Sequence, residues 1–143
     1  MSAIITGVDG SDTAADAALA AARLASALDV ELVVVCAFDK LEYEEIDTGD
    51  QTFEFTTAEW AHNVATRAIV PLKRAYPDLQ AAATSAQGKP ADVLLQTAAE
   101  HDADLIVVGN KRVQGVSRIL GSIAADVARH ATCDVYVANT HRR

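Results

Sequence analysis

The sequence predicts an α/β protein with a three-layer, doubly wound parallel sheet that carries helices on both of its faces. Five short apolar runs alternate with segments of helical spacing, a pattern typical of parallel strands joined by crossover helices. Hydrophobic residues make up 50% of the chain and are mostly small or branched aliphatics, which suits helices packed closely on such a sheet. A chain of 143 residues fits one domain, spanning 1–143.

The predicted strands are the five apolar runs, at 3–8, 31–38, 80–86, 105–108 and 134–138. Their length and their content of Val, Ile and Ala indicate strands that are buried on both faces.

The first helix is expected to begin after Ser11 or Asp12, because either side chain can cap it, and to continue through Leu28. The second spans about 57–75 and ends before Pro77.

The third helix has Pro90 in its first turn, where the missing N–H costs nothing, and continues through Ala98. The fourth follows Ser117 or Gly121 and presents Ile123 and Val127 on one side.

The segment 39–56 is predicted to be an acidic loop between the second strand and the second helix. It carries seven acids between Asp39 and Glu54, and Gly49 lies within it. Such a loop is either a lid over a site or a solvated connection, and the sequence leaves both open.

The composition excludes several classes of protein. The net charge of -8 argues against a protein that coats nucleic acid. Cys36 and Cys133 lie in separate apolar runs and are expected to be buried free thiols. We see no secretory signal and no apolar run long enough to span a bilayer, so we expect a soluble protein in the reducing cytoplasm.

The strongest functional signal lies between the fourth strand and the fourth helix. An apolar run ends at Gly109 and leads into a glycine-containing loop, then into Gly121-Ser122 at the start of a helical pattern. Glycines let a backbone approach an anion closely, and the first N–H groups of a helix carry partial positive charge. The stretch 105–125 contains no Asp or Glu but does contain Lys111 and Arg112. These features predict a phosphate site.

Other candidate residues follow from the rule that ligands bind beyond the carboxyl ends of parallel strands. Asp9 either contacts a ribose or a Mg²⁺ ion beside phosphates, or it caps the following helix. Ser122 either donates to a phosphate or caps the last helix. Ala37, with Val8 and Val108, forms either an apolar slot for a planar base or ordinary core.

No catalytic or metal-binding motif accompanies the glycine loop. It lacks the Gly-Lys-Ser/Thr of a Walker A sequence and the Rossmann glycine fingerprint. The four histidines have no metal-ligand spacing, and no nucleophile elbow is present. We therefore predict no catalytic residues.

Several segments along the chain match one family pattern in order. They are Ile-Thr-Gly-Val-Asp9-Gly-Ser11, Gly88-Lys-Pro90-Ala-Asp, Asp104-Leu-Ile-Val-Val-Gly109, Gly121-Ser122 and Cys133-Asp-Val-Tyr-Val-Ala138. Together they resemble the universal stress protein family over essentially the whole chain. The resemblance implies a five-stranded parallel sheet in the order 3-2-1-4-5 and a homodimer formed by pairing of the last strands.

The resemblance also implies the ligand and its contacts. ATP-binding members of this family carry Gly-x-x-Gly, nine residues, and then Gly-Ser or Gly-Thr. By position, Asp9 is implied to meet the ribose or a Mg²⁺ ion, Gly7 and Ala37 to border the adenine, and Val108 to close its pocket. The residues implied to surround the phosphates are Gly109, Lys111, Arg112, Gly121, Ser122 and Ile123.

One part of the loop departs from the family pattern. Arg112 stands at the second glycine position, and eight residues separate it from Gly121. The loop either takes another path, because a left-handed turn disfavours a non-glycine residue, or it places the Arg112 guanidinium on a phosphate.

The leading functional interpretation is a cytoplasmic stress-response protein that binds an adenine nucleotide and acts as a sensor or regulator through its homodimer. The expected nucleotide is ATP, with cyclic AMP or AMP as alternatives, and we expect at most slow ATP hydrolysis. A second interpretation is a nucleotide-free interaction module of the same fold, which binds an unknown protein partner. A phosphotransfer receiver domain shares the fold class, but the third and fifth runs lack its phosphoacceptor Asp and its Lys.

Overall fold

The computed structural model of the protein describes residues 2–40, 43–47, 49, 52–110 and 121–140. Its strands are β1 (Ala3–Gly7), β2 (Glu31–Phe38), β3 (Tyr43–Asp47), β4 (Thr52–Thr56), β5 (Ala81–Gln87), β6 (Leu105–Gly109) and β7 (Asp134–Ala138). Its helices are α1 (Asp12–Leu28), α2 (Thr57–Ala75), α3 (Pro90–Glu100) and α4 (Ser122–His130).

The main sheet contains five parallel strands in the spatial order β5-β2-β1-β6-β7. Counted along the chain, these parallel strands stand in the order 3-2-1-4-5, so the predicted fold class and strand order are confirmed. The central strand β1 pairs Ile5 with Val33 on one side and with Ile106 on the other.

Helices cover both faces of this sheet. On one face, α1 and α2 pack against alternate strand residues such as Ile4, Val34 and Val107. On the other face, α3 and α4 pack against the intervening residues, such as Ile5 and Val35. Strand side chains point alternately to opposite faces, and both faces are covered here, so the inner strands β1, β2 and β6 are apolar at almost every position. The expectation of burial on both faces is wrong for the edge strands β5 and β7, which are partly exposed.

Local signals set the beginnings of three helices. Ser11 is the N-cap of α1, and its side chain accepts a hydrogen bond from the Ala14 N–H at 3.2 Å. Thr56 caps α2 in the same way. Pro90 occupies the first turn of α3, as predicted.

The predicted acidic loop at 39–56 is wrong in its central part. Residues 43–47 and 52–56 form the antiparallel hairpin β3–β4, in which Ile46 is paired with Phe53. Gly49 lies between the strands with φ of +91°, a value that glycine adopts readily. The alternation of apolar and polar residues in Thr52–Thr56 is the strand signal that the acidic composition obscured.

The two cysteines are free, and their burial differs. Cys36 is buried in β2, as predicted. Cys133 is only half-buried, because it lies just before β7 at the edge of the sheet. Within the described ranges, no helix has the length and apolar character that crossing a membrane requires.

Candidate functional site

A crevice opens at the carboxyl ends of β1 and β6, where the chain leaves the sheet in two directions. After β1 it enters α1 on one face, whereas the helix that follows β6, α4, lies on the other face. This divergence creates the usual ligand position of a doubly wound sheet. The crevice has a cavity of about 380 Å³, which is in the range of small-molecule sites. Its described lining residues are Gly7, Val8, Asp9, Ser11, Thr13, Ala14, Ala17, Val35, Ala37, Pro90, Val93, Leu94, Val107, Val108, Gly109, Gly121, Ser122, Ile123 and Ala124.

The inner part of the crevice is an apolar slot. Gly7, Ala37 and Val108 line it from the sheet, and Leu94 lines it from α3. A Cβ atom on Gly7 would lie 3.2 Å from Leu94 Cδ2, so a side chain at residue 7 would fill space in front of α3. A slot with aliphatic walls suits a flat ring system.

The N-terminus of α4 supplies hydrogen-bond donors to the same crevice. Its N-cap is Gly121, which has no side chain to accept a hydrogen bond. The Ala125 N–H bonds back to the Gly121 carbonyl at 3.0 Å, which leaves the N–H groups of Ser122, Ile123 and Ala124 without partners inside the helix. Such groups, with the helix dipole, form an anion site.

The structure excludes one of the two interpretations of Ser122. Gly121 is the N-cap and Ser122 is the first helical residue, and the helix has no side-chain cap. The capping interpretation of Ser122 is therefore wrong. Ser122 is exposed and lines the crevice.

Asp9 lies at the mouth of the crevice, just after β1. Its Oδ1 accepts a hydrogen bond from the Ser11 N–H at 2.9 Å, while Ser11 rather than Asp9 caps α1. Asp9 is exposed, so its other carboxylate oxygen, Oδ2, is accessible to a ligand in the crevice. Asp9 is thus held by the turn without being used as the cap.

The electrostatics of the described lining are simple, because Asp9 is its single charged side chain. Within this described lining, attraction for an anion comes from the helix N-termini that open onto the crevice. The negative charge of the Asp9 carboxylate also affects the ionisation of a thiol in β2. Burial, with the negative charge of Asp9 as the second cause, raises the pKa of the Cys36 thiol from its ordinary 9.0 to about 11.

Three chain segments meet at Gly109, where β6 ends in the floor of the crevice. A Cβ atom on Gly109 would lie 3.2 Å from Thr13 Cγ2 and 3.3 Å from Thr140 Cγ2. Glycine therefore allows the first turn of α1 and the residues after β7 to approach the end of β6 closely.

The sequence-predicted residues come together here. Every one of them that the structure describes lines this crevice, namely Gly7, Val8, Asp9, Ala37, Val108, Gly109, Gly121, Ser122 and Ile123. Lys111 and Arg112 lie outside the described residues, as do the alternative helix start at Ser117 and the glycine loop itself.

Sequence reasoning missed the contribution of α3 and of the first turns of α1. Pro90, Val93 and Leu94 form one wall, and Thr13 and Ala17 extend another. The signal for the α3 wall was the Gly88-Lys-Pro90 segment, which marks a helix that begins at the carboxyl edge of the sheet.

The described residues contain no group of three or more His, Cys, Asp or Glu side chains that could hold a metal ion. Asp9 is one carboxylate, and Mg²⁺ in proteins commonly takes one or two carboxylates together with phosphate oxygens and water. A Mg²⁺ ion at Asp9 therefore requires a phosphorylated ligand as a second source of oxygen.

Comparison with known proteins identifies the fold family. The sequence model of the Universal stress protein family matches residues 1–139 of this chain. The chain belongs to this family. As a universal stress protein it is 31% identical over 153 residues to universal stress protein Rv1636 of Mycobacterium tuberculosis, with 96% of this chain and 95% of that protein covered.

Solved universal stress proteins share the architecture. One, determined in complex with cAMP, is 28% identical, has a TM-score of 0.75 and is matched over 98% of both chains. Another, from Archaeoglobus fulgidus in complex with dAMP, is 22% identical with a TM-score of 0.69, and the match covers 96% of this chain and 97% of that one. At 22% identity, the similarity to this second structure shows a shared fold and nothing more.

Proposed function

We propose that this universal stress protein binds an adenine nucleotide in the crevice between β1 and β6. The observation that carries the proposal is the joining, within one cavity, of an aliphatic slot and an uncapped helix N-terminus. The slot suits a planar base, and the N-terminus of α4 suits a phosphate. The related structure with cAMP, at 28% identity, supports a ligand of this class.

Different described residues would contact different parts of the nucleotide. Gly7, Ala37 and Val108 would border the base, and Leu94 would close the slot from α3. The N–H groups at the start of α4 and the Ser122 hydroxyl would receive a phosphate. Asp9 would accept hydrogen bonds from the ribose, or hold a Mg²⁺ ion together with phosphate oxygens.

Our first candidate among adenine nucleotides is ATP, and cyclic AMP and AMP are the alternatives. One helix N-terminus can neutralise part of the charge of one phosphate. A triphosphate needs further cations, and the chain carries Lys111 and Arg112 next to the end of β6 in sequence. Gly109 and Ile123 would flank the phosphates at the two described ends of this loop.

Calorimetric titration tests the proposal directly. We expect saturable binding of at least one of ATP with Mg²⁺, ADP, AMP and cyclic AMP, and much weaker binding of GTP. Asp9→Asn keeps an oxygen for the Ser11 N–H and removes only the charge, and we expect it to weaken binding about tenfold, the cost of losing a charged hydrogen-bond partner. Asp12→Asn, which removes a neighbouring carboxylate outside the crevice lining, is the matched control and is expected to bind as the wild type does. Absence of binding by all four adenine nucleotides at millimolar concentration would refute the proposal.

We further propose that the protein acts in the cytoplasm as a sensor or regulator in the form of a homodimer. The support is the edge strand β7, on which Tyr136 and Val137 are each 37% exposed. An edge strand with exposed apolar side chains has unpaired backbone groups that can pair with a strand of another chain. Light scattering after size-exclusion chromatography should give twice the monomer mass, and a monomer at all concentrations would exclude this arrangement.

A further inference from the structure

We infer that Thr140 is a positioning residue for the nucleotide site, although it lies beyond the last strand and outside the crevice lining. This inference rests on the proposed function. It concerns how the end of β6 is held in place at the floor of the crevice, and it assigns that task to the short segment Ala138–Thr140 that follows β7.

The evidence begins with Asn110, the residue at which the chain leaves β6. Its N–H donates to the Ala138 carbonyl at 2.9 Å. Its carbonyl accepts a hydrogen bond from Thr140 Oγ1, also at 2.9 Å. Both backbone groups of Asn110 are therefore held by the same short segment, from the side opposite to the centre of the sheet.

Burial shows that the Thr140 side chain is part of the packed structure. Thr140 is one of the few buried polar residues in the described chain, with 8% of its surface exposed. Its hydroxyl has the Asn110 carbonyl as partner, and its methyl group lies 3.3 Å from the position that a Cβ on Gly109 would take. The hydroxyl thus bonds to Asn110, and the methyl group fills the space in front of Gly109, the last residue of β6.

The consequence for the site follows from peptide geometry. A peptide unit is planar and trans, so the hydrogen bond from the Asn110 N–H to the Ala138 carbonyl also fixes the direction of the Gly109 carbonyl, which belongs to the same unit. That unit is where the chain departs from the crevice floor at Gly109. The Thr140 hydroxyl holds Asn110 at its carbonyl, on the other side of the Asn110 Cα atom. Without this hydroxyl, Asn110 loses one of its two bonds to the segment after β7, the Gly109–Asn110 peptide is held less firmly, and Gly109 loses part of a restraint that a bound ligand would otherwise find already in place.

The test compares variants that separate the hydrogen bond from general packing. Thr140→Val removes the hydroxyl and keeps a branched side chain, and Thr140→Ser keeps the hydroxyl. The matched control is Thr6→Val, because Thr6 is also a buried threonine whose Oγ1 donates to a β6 carbonyl, that of Val107, at 3.0 Å. Val107 lies inside the strand ladder, where the neighbouring strands hold its peptide independently.

Two readouts are needed, one with ligand and one without. With the adenine nucleotide that binds the wild type, we expect Thr140→Val to raise Kd about three- to tenfold, the effect of one lost hydrogen bond. Thr140→Ser should remain close to the wild type. Thr6→Val should lower the unfolding temperature and leave Kd unchanged. In the ligand-free protein, hydrogen exchange at the Asn110 amide should accelerate in Thr140→Val while exchange in the centre of β1 stays as it was.

The outcomes separate this inference from the proposed function. If the wild type binds and folded Thr140→Val binds equally well, the inference is overturned and the proposed function stands. Unchanged exchange at Asn110 would also overturn it, whether or not a nucleotide binds. If the wild type binds no adenine nucleotide, the proposed function fails and this role in binding fails with it, whereas the exchange data still report whether Thr140 restrains the end of β6.

Discussion

Replacing Gly121 with Asp should make the protein slightly more stable and a much poorer nucleotide binder. Gly121 has φ of -61° and ψ of 160°, which any residue can adopt, and it leaves the first N–H groups of α4 without a side-chain acceptor. An aspartate at this N-cap would accept hydrogen bonds from those groups. It would therefore occupy the donors that we assign to a phosphate.

The size of the effect follows from two contributions. A carboxylate and a phosphate that share these N–H groups would be ~5 Å apart, and two unit negative charges at that distance repel by about 1 kcal/mol in water and about 3 kcal/mol at an effective dielectric constant near 20. This corresponds to a rise in Kd of about 5- to 150-fold. The free energy of unfolding should rise by a few tenths of a kcal/mol to about 1 kcal/mol, from the cap and the helix dipole.

The assay is calorimetric titration of each variant, with its free energy of unfolding measured in urea. Gly121→Asn is the matched control, because asparagine caps helices about as well as aspartate and carries no charge. We expect it to reproduce the gain in stability with only a severalfold loss of affinity. If Gly121→Asp is folded and binds as tightly as the wild type, the phosphate does not lie at the N-terminus of α4 and the reasoning is refuted.

Three further predictions concern packing, ionisation and assembly. Gly109→Ala should lower the free energy of unfolding by about 1 to 3 kcal/mol in urea titrations, because the added methyl group would press on Thr13 and Thr140. An unchanged free energy of unfolding would show that Thr13 and Thr140 can move aside at no cost. The free energy of unfolding of the wild type, relative to that of Cys36→Ala, should fall as the pH rises from 9.0 to about 11. Over this interval the thiol of Cys36 keeps its proton in the folded protein and loses it in the unfolded chain. A difference in stability that is independent of pH would contradict the raised pKa. Val137→Lys should raise the dissociation constant of the dimer at least about tenfold, because it places a charge on the β7 edge. A dimer mass that is unchanged in light scattering would exclude this edge as the interface.

The sequence was sufficient for the parallel sheet and its helices because their signals are local. Short apolar runs mark the five parallel strands, and Ser11 and Pro90 mark two helix starts. The predicted second helix at 57–75 coincides with Thr57–Ala75. Strands and caps of this kind depend on residues within a few positions, which a single sequence displays directly.

The hairpin β3–β4 was missed because two local signals disagreed. The acids of this segment favour a loop, whereas the alternation around Phe53 and Phe55 and the glycine at residue 49 favour a hairpin. The acidic composition extends over the whole segment, whereas the alternation covers only five residues. Pairing between strands decided the outcome, and pairing is not visible in either strand alone.

The candidate site was predictable where it follows strand ends and not where it depends on packing between distant segments. Asp9, Ala37 and Gly109 lie at the carboxyl edge of the sheet by topology. Leu94 reaches the same crevice only because α3 packs across β1 and β2. The link between Thr140 and Asn110 joins residues 30 positions apart in the chain, and no sequence spacing indicates it.

The most direct test of the central claim is a nuclear magnetic resonance titration that records the backbone amides as an adenine nucleotide is added. We predict saturable shifts at Ser122, Ile123 and Ala124 together with shifts at Gly7 and Ala37, and none at Asp29, at the opposite end of α1. Shifts confined to other parts of the molecule, or no shifts at millimolar nucleotide, would contradict the claim that this crevice joins a base slot to a phosphate site.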